Sequence, residues 1–171
     1  MLQEYQTGRH MKQQDFQAIV ATSIGKLGIA VQDQHLTGIH FLPPQARLKK
    51  PANDFVTDIV AQIHAFLQDP STGFDIPYKL EGTQFQRRVW NRLKKIPTGE
   101  ICFYGDVARE LDSSPRAVGG ACRANPIPLV VPCHRVLSKS GLGGYDGDWE
   151  TGKADIKRWL LEHEGVSIPV R

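Results

Sequence analysis

Cysteine, histidine and arginine follow one another in Pro132-Cys133-His134-Arg135-Val136, which puts a thiol beside an imidazole and a guanidinium. A free cysteine with a pKa of about 8.5 is only a few per cent thiolate at neutral pH, and cationic neighbours lower that value by one unit to several. Cys133 is therefore read as an activated nucleophile. Most cysteines in intracellular domains are small buried hydrophobes, so the run gains its meaning from its surroundings. The other two, Cys102 and Cys122, lack such neighbours and read as buried packing residues.

A sulfur placed about 1 Å wrong can lose a hundredfold in rate, so rigid elements must hold it. Leu129 to Val131 is apolar and reads as a buried strand carrying Cys133 at its end. Upstream, Tyr104 to Glu110 reads as a short helix and Leu111 to Ser114 as a turn. Ser114-Pro115 then opens a second helix with a cap hydroxyl and a proline at its first position. Together these form a helix-turn-helix. Gly119 and Gly120 inside the second helix cost about 1 kcal/mol each relative to alanine, which makes sense where something approaches the backbone closely. Thr83-Gln84-Phe85-Gln86 is a capping box ahead of a stripe of Phe85, Val89 and Leu93. The charges of that helix, Arg87, Arg88, Arg92, Lys94 and Lys95, read as a solvated face.

The first half of the chain has another character. Apolar runs at Ile19 to Thr22, Leu27 to Val31 and Leu36 to Leu42, separated by turn signals at Gly25 and Gln32-Asp33-Gln34, predict a small antiparallel meander. Asn53 to Gln68 places Phe55, Ile59, Ile63 and Phe66 on one helical face, with Asn53 as cap and Asp69-Pro70 as stop. That helix should cover one face of the sheet. The stretch from Ser71 to Glu81 is linker-like, so the expected domains are residues 1–81 and 82–171. The expected fold class is α/β (α+β), with a sheet-and-helix unit followed by a helical unit that carries the helix-turn-helix and the active-site cysteine.

The 171 residues are 40% hydrophobic and 23% charged, which fits an ordinary globule rather than a disordered or fibrous chain. A formal charge of +3 permits a polyanionic partner without demanding one. Three cysteines without paired spacing and a polar stretch from Met1 to Gln17 suggest a reducing, intracellular home. No run of about 18 apolar residues is present, so no membrane span is expected.

In order along the chain stand Gly82-Thr83-Gln84-Phe85-Gln86, Val89-Trp90, Ile96-Pro97-Thr98-Gly99-Glu100, Tyr104, Arg116-Ala117-Val118-Gly119-Gly120 and Asn125-Pro126. The Pro132 to Val136 run, Gly143-Gly144-Tyr145 and Leu160-Leu161-Glu162-His163-Glu164-Gly165 follow. This series resembles the O6-alkylguanine-DNA alkyltransferase family across the C-terminal half; before residue 82 the likeness is one of layout. The resemblance implies DNA repair by direct reversal. An alkyl group on O6 of guanine, or a methyl on O4 of thymine, would pass irreversibly to Cys133, one group per protein molecule. The base would be flipped from the duplex into a pocket.

The roles below come with that resemblance. The Cys133 proton would pass through a water to His134, oriented by Glu164. Tyr104 would help rotate the nucleotide and hydrogen-bond the flipped base, while Arg116 would fill its vacated place in the stack. Gly119 and Gly120 would meet DNA from its minor-groove side. Asn125 would brace the turn after that helix, Pro128 would line the pocket, and Arg135, grouped with the substrate-binding residues, would stabilise the surrounding structure. Tyr145 and the Asp146 backbone would form the loop facing the leaving oxygen. The implied partner is double-stranded DNA containing alkylated guanine, with the protein a monomer needing no cofactor and no metal. Some members carry zinc in their N-terminal part; with no cysteine before 102, this chain cannot build that thiolate site.

The chain departs from the pattern at residues 146–155, a long connection with Asp146, Asp148, Glu150 and Asp155. Three other readings compete. A non-enzymatic relative that binds alkylated DNA would have replaced the cysteine, and Cys133 is intact. A helix-turn-helix regulator has no need of Pro132 to Val136. A Cys-His hydrolase would turn over repeatedly on an ester or peptide.

Overall fold

The computed structural model describes residues 11–143 and 153–168. The chain divides into two compact units, Met1–Leu80 and Glu81–Arg171. The first holds a three-stranded antiparallel meander of β1 (Ala18–Thr22), β2 (Gly25–Gln32) and β3 (His35–Leu42), paired in that order. Asp33 and Gln34 link β2 to β3 with both φ angles positive, 51° and 59°, the backbone of a two-residue hairpin turn that matches strand twist. Four successive residues of β2, Leu27 to Ala30, are buried, so both faces of this strand are covered. Phe16 lies on one side, where a Cβ added to Gly28 would come within 2.9 Å of its ring. Helix α1 (Asp54–Gln68) packs against β1.

Asn53 caps α1 as expected, its side chain accepting from the Val56 amide at 3.0 Å. The buried stripe is Val56, Ile59, Ile63, Phe66 and Leu67, with Phe55 only half-buried. At about 100° per residue these five span an arc of about 100°, and Phe55 falls just beyond its Phe66 edge.

The second unit begins with α2 (Gln84–Leu93). Its capping box is present in both directions: Gln86 N donates to Thr83 Oγ1 at 3.1 Å and Thr83 N to Gln86 Oε1 at 2.9 Å. Trp90 joins Val89 and Leu93 in the core, and its indole N–H donates to the Ala121 carbonyl at 2.8 Å. Phe85 is half-buried. The basic face of α2 departs from a purely solvated one, since Arg92 pairs with Glu110 and Arg88 donates to the Leu111 carbonyl at 3.3 Å.

Strand β4 (Cys102–Phe103) leads directly into α3 (Tyr104–Glu110), and a turn with Asp112 at φ 54° brings the chain to α4 (Pro115–Arg123). The Ser114 hydroxyl accepts from the Ala117 amide at 3.1 Å, and Pro115 occupies the first turn of α4. Beyond α4 the expected strand at Leu129 to Val131 is absent. A tight turn replaces it, closed by an isolated bridge between Pro128 and Val131, with Leu129 at φ 75°. Proline at 128 and 132 removes the amides that a ladder would use. The strand of this region comes later, as β5 (Val136–Leu137), which pairs in parallel with β4 through Cys102↔Val136. Helix α5 (Lys153–His163) completes the described chain.

Candidate active site

Cys133 opens a single 3-10 turn, Cys133–Arg135, whose three side chains are all buried. The turn is anchored from behind by Asn125, fully buried, which donates to the Val131 carbonyl at 2.8 Å and accepts from the Ile127 amide at 3.1 Å. The Val131 carbonyl also accepts from the Cys133 amide at 2.9 Å, but the Ile127 amide would otherwise be stranded in the interior, where an unpaired backbone dipole costs about 1–3 kcal/mol. Asn125 thus fixes the left-handed Leu129 and, through it, the approach to Cys133. Pro128 is buried within the same turn.

His134 has no solvent exposure and hydrogen-bonds Glu164 Oε1 through Nε2 at 2.7 Å. Burial pushes its pKa down, and the Glu164 carboxylate opposes that shift only in part. The ring is neutral at pH 7. Because the carboxylate can only accept, Nε2 carries the proton and Nδ1 keeps a lone pair. Nδ1 is buried without a hydrogen-bond partner among the described residues.

Glu164 is the hub. Arg135 grips it with two bonds, Nε to Oε2 at 2.9 Å and Nη2 to Oε1 at 2.8 Å, the planar fork that guanidinium offers a carboxylate. Burial alone would raise the Glu164 pKa; hydrogen bonds from His134 and Arg135 overcome it and hold the group at about 2. Two further Arg135 donors go to the Ile96 carbonyl at 2.7 Å and Thr98 Oγ1 at 3.1 Å. Arg135, only 7% exposed, is thus committed to the protein interior, and the grouping with DNA-contacting residues does not fit its surroundings.

Lys157 was not legible as a site residue. It is fully buried, donating to the Val136 carbonyl at 2.7 Å and to the Tyr104 hydroxyl at 3.4 Å, with Nζ 5.5 Å from the Tyr104 ring centroid. Burial lowers its pKa to about 8, countered by attraction to Cys133 and Cys122. The cation therefore survives at neutral pH within the electrostatic reach of the thiol. Tyr104 stands at the start of α3, and burial pushes its phenol pKa up, so it remains a protonated donor. Gly143, at φ 74°, leans against it: a Cβ there would lie 3.0 Å from Tyr104 Cε2. Cys122 is buried as expected. Cys102 is not; it is half-buried, and its sulfur accepts from Arg92 Nη2 at 3.6 Å.

The structure thus gathers Cys133, His134, Arg135 and Glu164, with Asn125 and Pro128 behind them and Tyr104 joined through Lys157. Arg116, Gly119 and Gly120 lie elsewhere, along α4, where Arg116 and Gly120 are exposed. A Cβ at either glycine would meet nothing within 4 Å. No packing inside the protein requires glycine there, which leaves the face open for a partner's close approach. Tyr145, Asp146 and most of the acidic connection lie outside the described residues. No cluster of His, Cys, Asp and Glu able to hold a metal occurs among the described residues, and none of their helices is long and apolar enough to cross a membrane.

A family model described as "6-O-methylguanine DNA methyltransferase, DNA binding domain" matches residues 84–166, the segment that contains this whole network. A methylated-DNA–protein-cysteine methyltransferase of Methanosarcina acetivorans is 35% identical over 158 residues, covering 88% of this chain and 98% of that protein. The crystal structure of the Mycobacterium tuberculosis O6-methylguanine methyltransferase superposes with a TM-score of 0.74 at 34% identity, covering 90% of this chain and 94% of the other. A structure of the M. tuberculosis OGT in complex with DNA gives a TM-score of 0.73 at 38% identity, covering 85% and 90%. With its fold and most of its length shared with these proteins, the chain belongs to the O6-methylguanine-DNA methyltransferase family.

Proposed function

We propose that this protein repairs duplex DNA by moving the alkyl group of O6-alkylguanine onto Cys133 in a single, irreversible event. The observation that carries the reading is the state of His134: neutral, its Nε2 proton committed to Glu164, and its Nδ1 lone pair buried next in sequence to a cysteine. That nitrogen is built to take a proton from the thiol. Sγ then attacks the alkyl carbon, the carbon–O6 bond breaks, and its electron pair stays with guanine, which takes up a proton. The product is a thioether on Cys133. Unlike a thioester, it has no ready hydrolytic exit, so each molecule acts once.

The rest of the site serves this step. Tyr104, kept protonated by burial, offers a hydrogen bond to the flipped base, and Lys157 keeps a cation near the charge that develops. The open glycines of α4 let the helix lie close against the DNA backbone, with Arg116 at its start to occupy the gap left by the base. Tyr145 and Asp146 are assigned to the loop over the leaving oxygen on the family resemblance. The protein acts as a monomer on double-stranded DNA inside the cell, and O4-methylthymine is a second substrate.

Incubation with a duplex containing one O6-methylguanine, followed by nucleoside analysis, tests the reading. Restored guanine should appear up to one equivalent of protein and then stop, and Cys133→Ser should restore none. Turnover beyond one equivalent, or repair by Cys133→Ser, would refute it.

A further inference from the structure

Resting on that reading of the site, we propose that Thr98, on the exposed turn between α2 and β4, is a positioning residue for the His134 base and acts through Arg135 and Glu164. Arg135 makes four side-chain contacts. Two go to Glu164, while the other two go to the Ile96 carbonyl at 2.7 Å and Thr98 Oγ1 at 3.1 Å, both on the chain leaving α2. The turn itself is closed by the Glu100 amide donating to the Pro97 carbonyl at 3.1 Å, with Gly99 at φ 82° as the residue that permits it. Its reach extends to the carboxylate directly. The Gly99 amide faces Glu164 Oε2 at 3.5 Å, and a Cβ at Gly99 would lie 3.1 Å from the Glu164 carbonyl oxygen.

Exposure gives this contact its meaning. Thr98 and Gly99 are exposed, whereas the Glu164 side chain is 0% exposed and that of Arg135 9%. One surface turn therefore separates the buried charge pair from water. A guanidinium with four of its five N–H donors engaged is a rigid fork. Without the Thr98 acceptor, Nη2 gains by turning toward solvent, and the same nitrogen holds Glu164 Oε1 at 2.8 Å. That oxygen is also the one that accepts from His134 Nε2 at 2.7 Å. The chain from the Thr98 hydroxyl to Arg135, Glu164 and the imidazole is thus continuous. At its far end is the Nδ1 lone pair, whose direction decides how well the thiol proton is taken. Thr98 touches neither base nor sulfur, so its effect belongs to the transfer step and not to DNA binding.

The test compares wild type, Thr98→Val, Thr98→Ala and Thr98→Ser by rapid quench, with protein in excess over an O6-methylguanine duplex, from mildly acidic to mildly alkaline pH. This separates the binding constant from the saturating transfer rate. The isosteric valine should lower the saturating rate about threefold to tenfold, the value of one hydrogen bond, with binding to lesion and undamaged duplexes unchanged. The acid limb of its pH profile should move to lower pH, because an imidazolium less well supported by Glu164 is harder to form. Alanine should behave like valine and keeps the test available should valine fold poorly, and serine should restore both rate and profile. Valine and alanine variants with wild-type rate and profile, a loss confined to binding, or failure of serine to rescue would overturn the inference. A wild type that leaves Cys133 unalkylated would overturn the proposed function and this inference with it; a normal wild type with indifferent Thr98 variants would remove the inference alone.

Discussion

Buried polarity is distributed unequally between the two units. Among the described residues the sheet unit buries one strongly polar side chain, His40, whereas the second unit buries Asn125, His134, Arg135, Lys157 and Glu164. His40 sits against the Phe16 ring, with centroids 5.2 Å apart, and burial pushes its pKa down to about 4. His134 is as deeply buried and also neutral, yet it is tied to a carboxylate that is itself tied to a guanidinium. The contrast shows that burial makes a histidine neutral and that only an orienting partner makes it a directed base. It also shows where the protein accepts the desolvation cost of charges: in the Arg135–Glu164 pair and at Lys157, and, among the described residues, nowhere in the packed sheet.

Cutting the network should give the largest effect. Glu164→Ala leaves Arg135 buried without its anion, and the expected loss is about 3–5 kcal/mol of unfolding free energy by urea titration, together with most of the transfer rate. His40→Leu probes the other side of the comparison. A buried neutral histidine with a lowered folded pKa stabilises fully above its unfolded value near 6.5, and that contribution is lost as pH falls from about 6.5 to 4. The leucine variant should therefore lose less stability over that interval than wild type, by up to about 3 kcal/mol, as read from urea midpoints at the two ends. Glu164 titrates separately: its folded pKa is lowered, so its contribution stands above about 4.5 and goes as pH falls toward about 2.

Gly143→Ala should have a smaller effect of another kind. The added methyl would stand 3.0 Å from the Tyr104 ring at a left-handed φ of 74°, costing about 1 kcal/mol and slowing transfer of a benzyl group more than of a methyl group in a single-turnover assay. Gly120→Ala is the smallest change and the sharpest one. With open space around the site, alanine should stabilise α4 by about 0.5–1 kcal/mol, raising the melting temperature, while duplex binding measured by fluorescence anisotropy weakens. A variant that melts higher and binds DNA as well as wild type would deny the α4 face its role.

The reactive turn was readable because its chemistry is local. Cys133, His134 and Arg135 are consecutive, the Thr83 box and Asn53 cap act over three residues, and Ser114-Pro115 marks a helix start in two. Lys157 was hidden because a lysine in an amphipathic helix looks solvated; only the fold carries it to Tyr104, 53 positions away. Thr98 was quoted within a motif, but its bond to Arg135 spans 37 positions. The Leu129 to Val131 segment misled because apolar content suggested a strand, while Pro128, Pro132 and the Asn125 bracing favoured a turn. The β4–β5 pair was missed for the same kind of reason: two residues per strand carry no readable period, and the pairing is parallel and long-range.

The central claim is that Cys133 is a single-use acceptor activated by a buried His134–Glu164 pair. Intact mass of the protein after saturating exposure to the O6-methylguanine duplex, followed by peptide mapping, tests it most directly. The account predicts one added methylene per molecule, located on Cys133, with no further gain on longer exposure. A protein that binds the lesion and keeps its original mass, or that carries the methyl on Cys102 or Cys122, would contradict it.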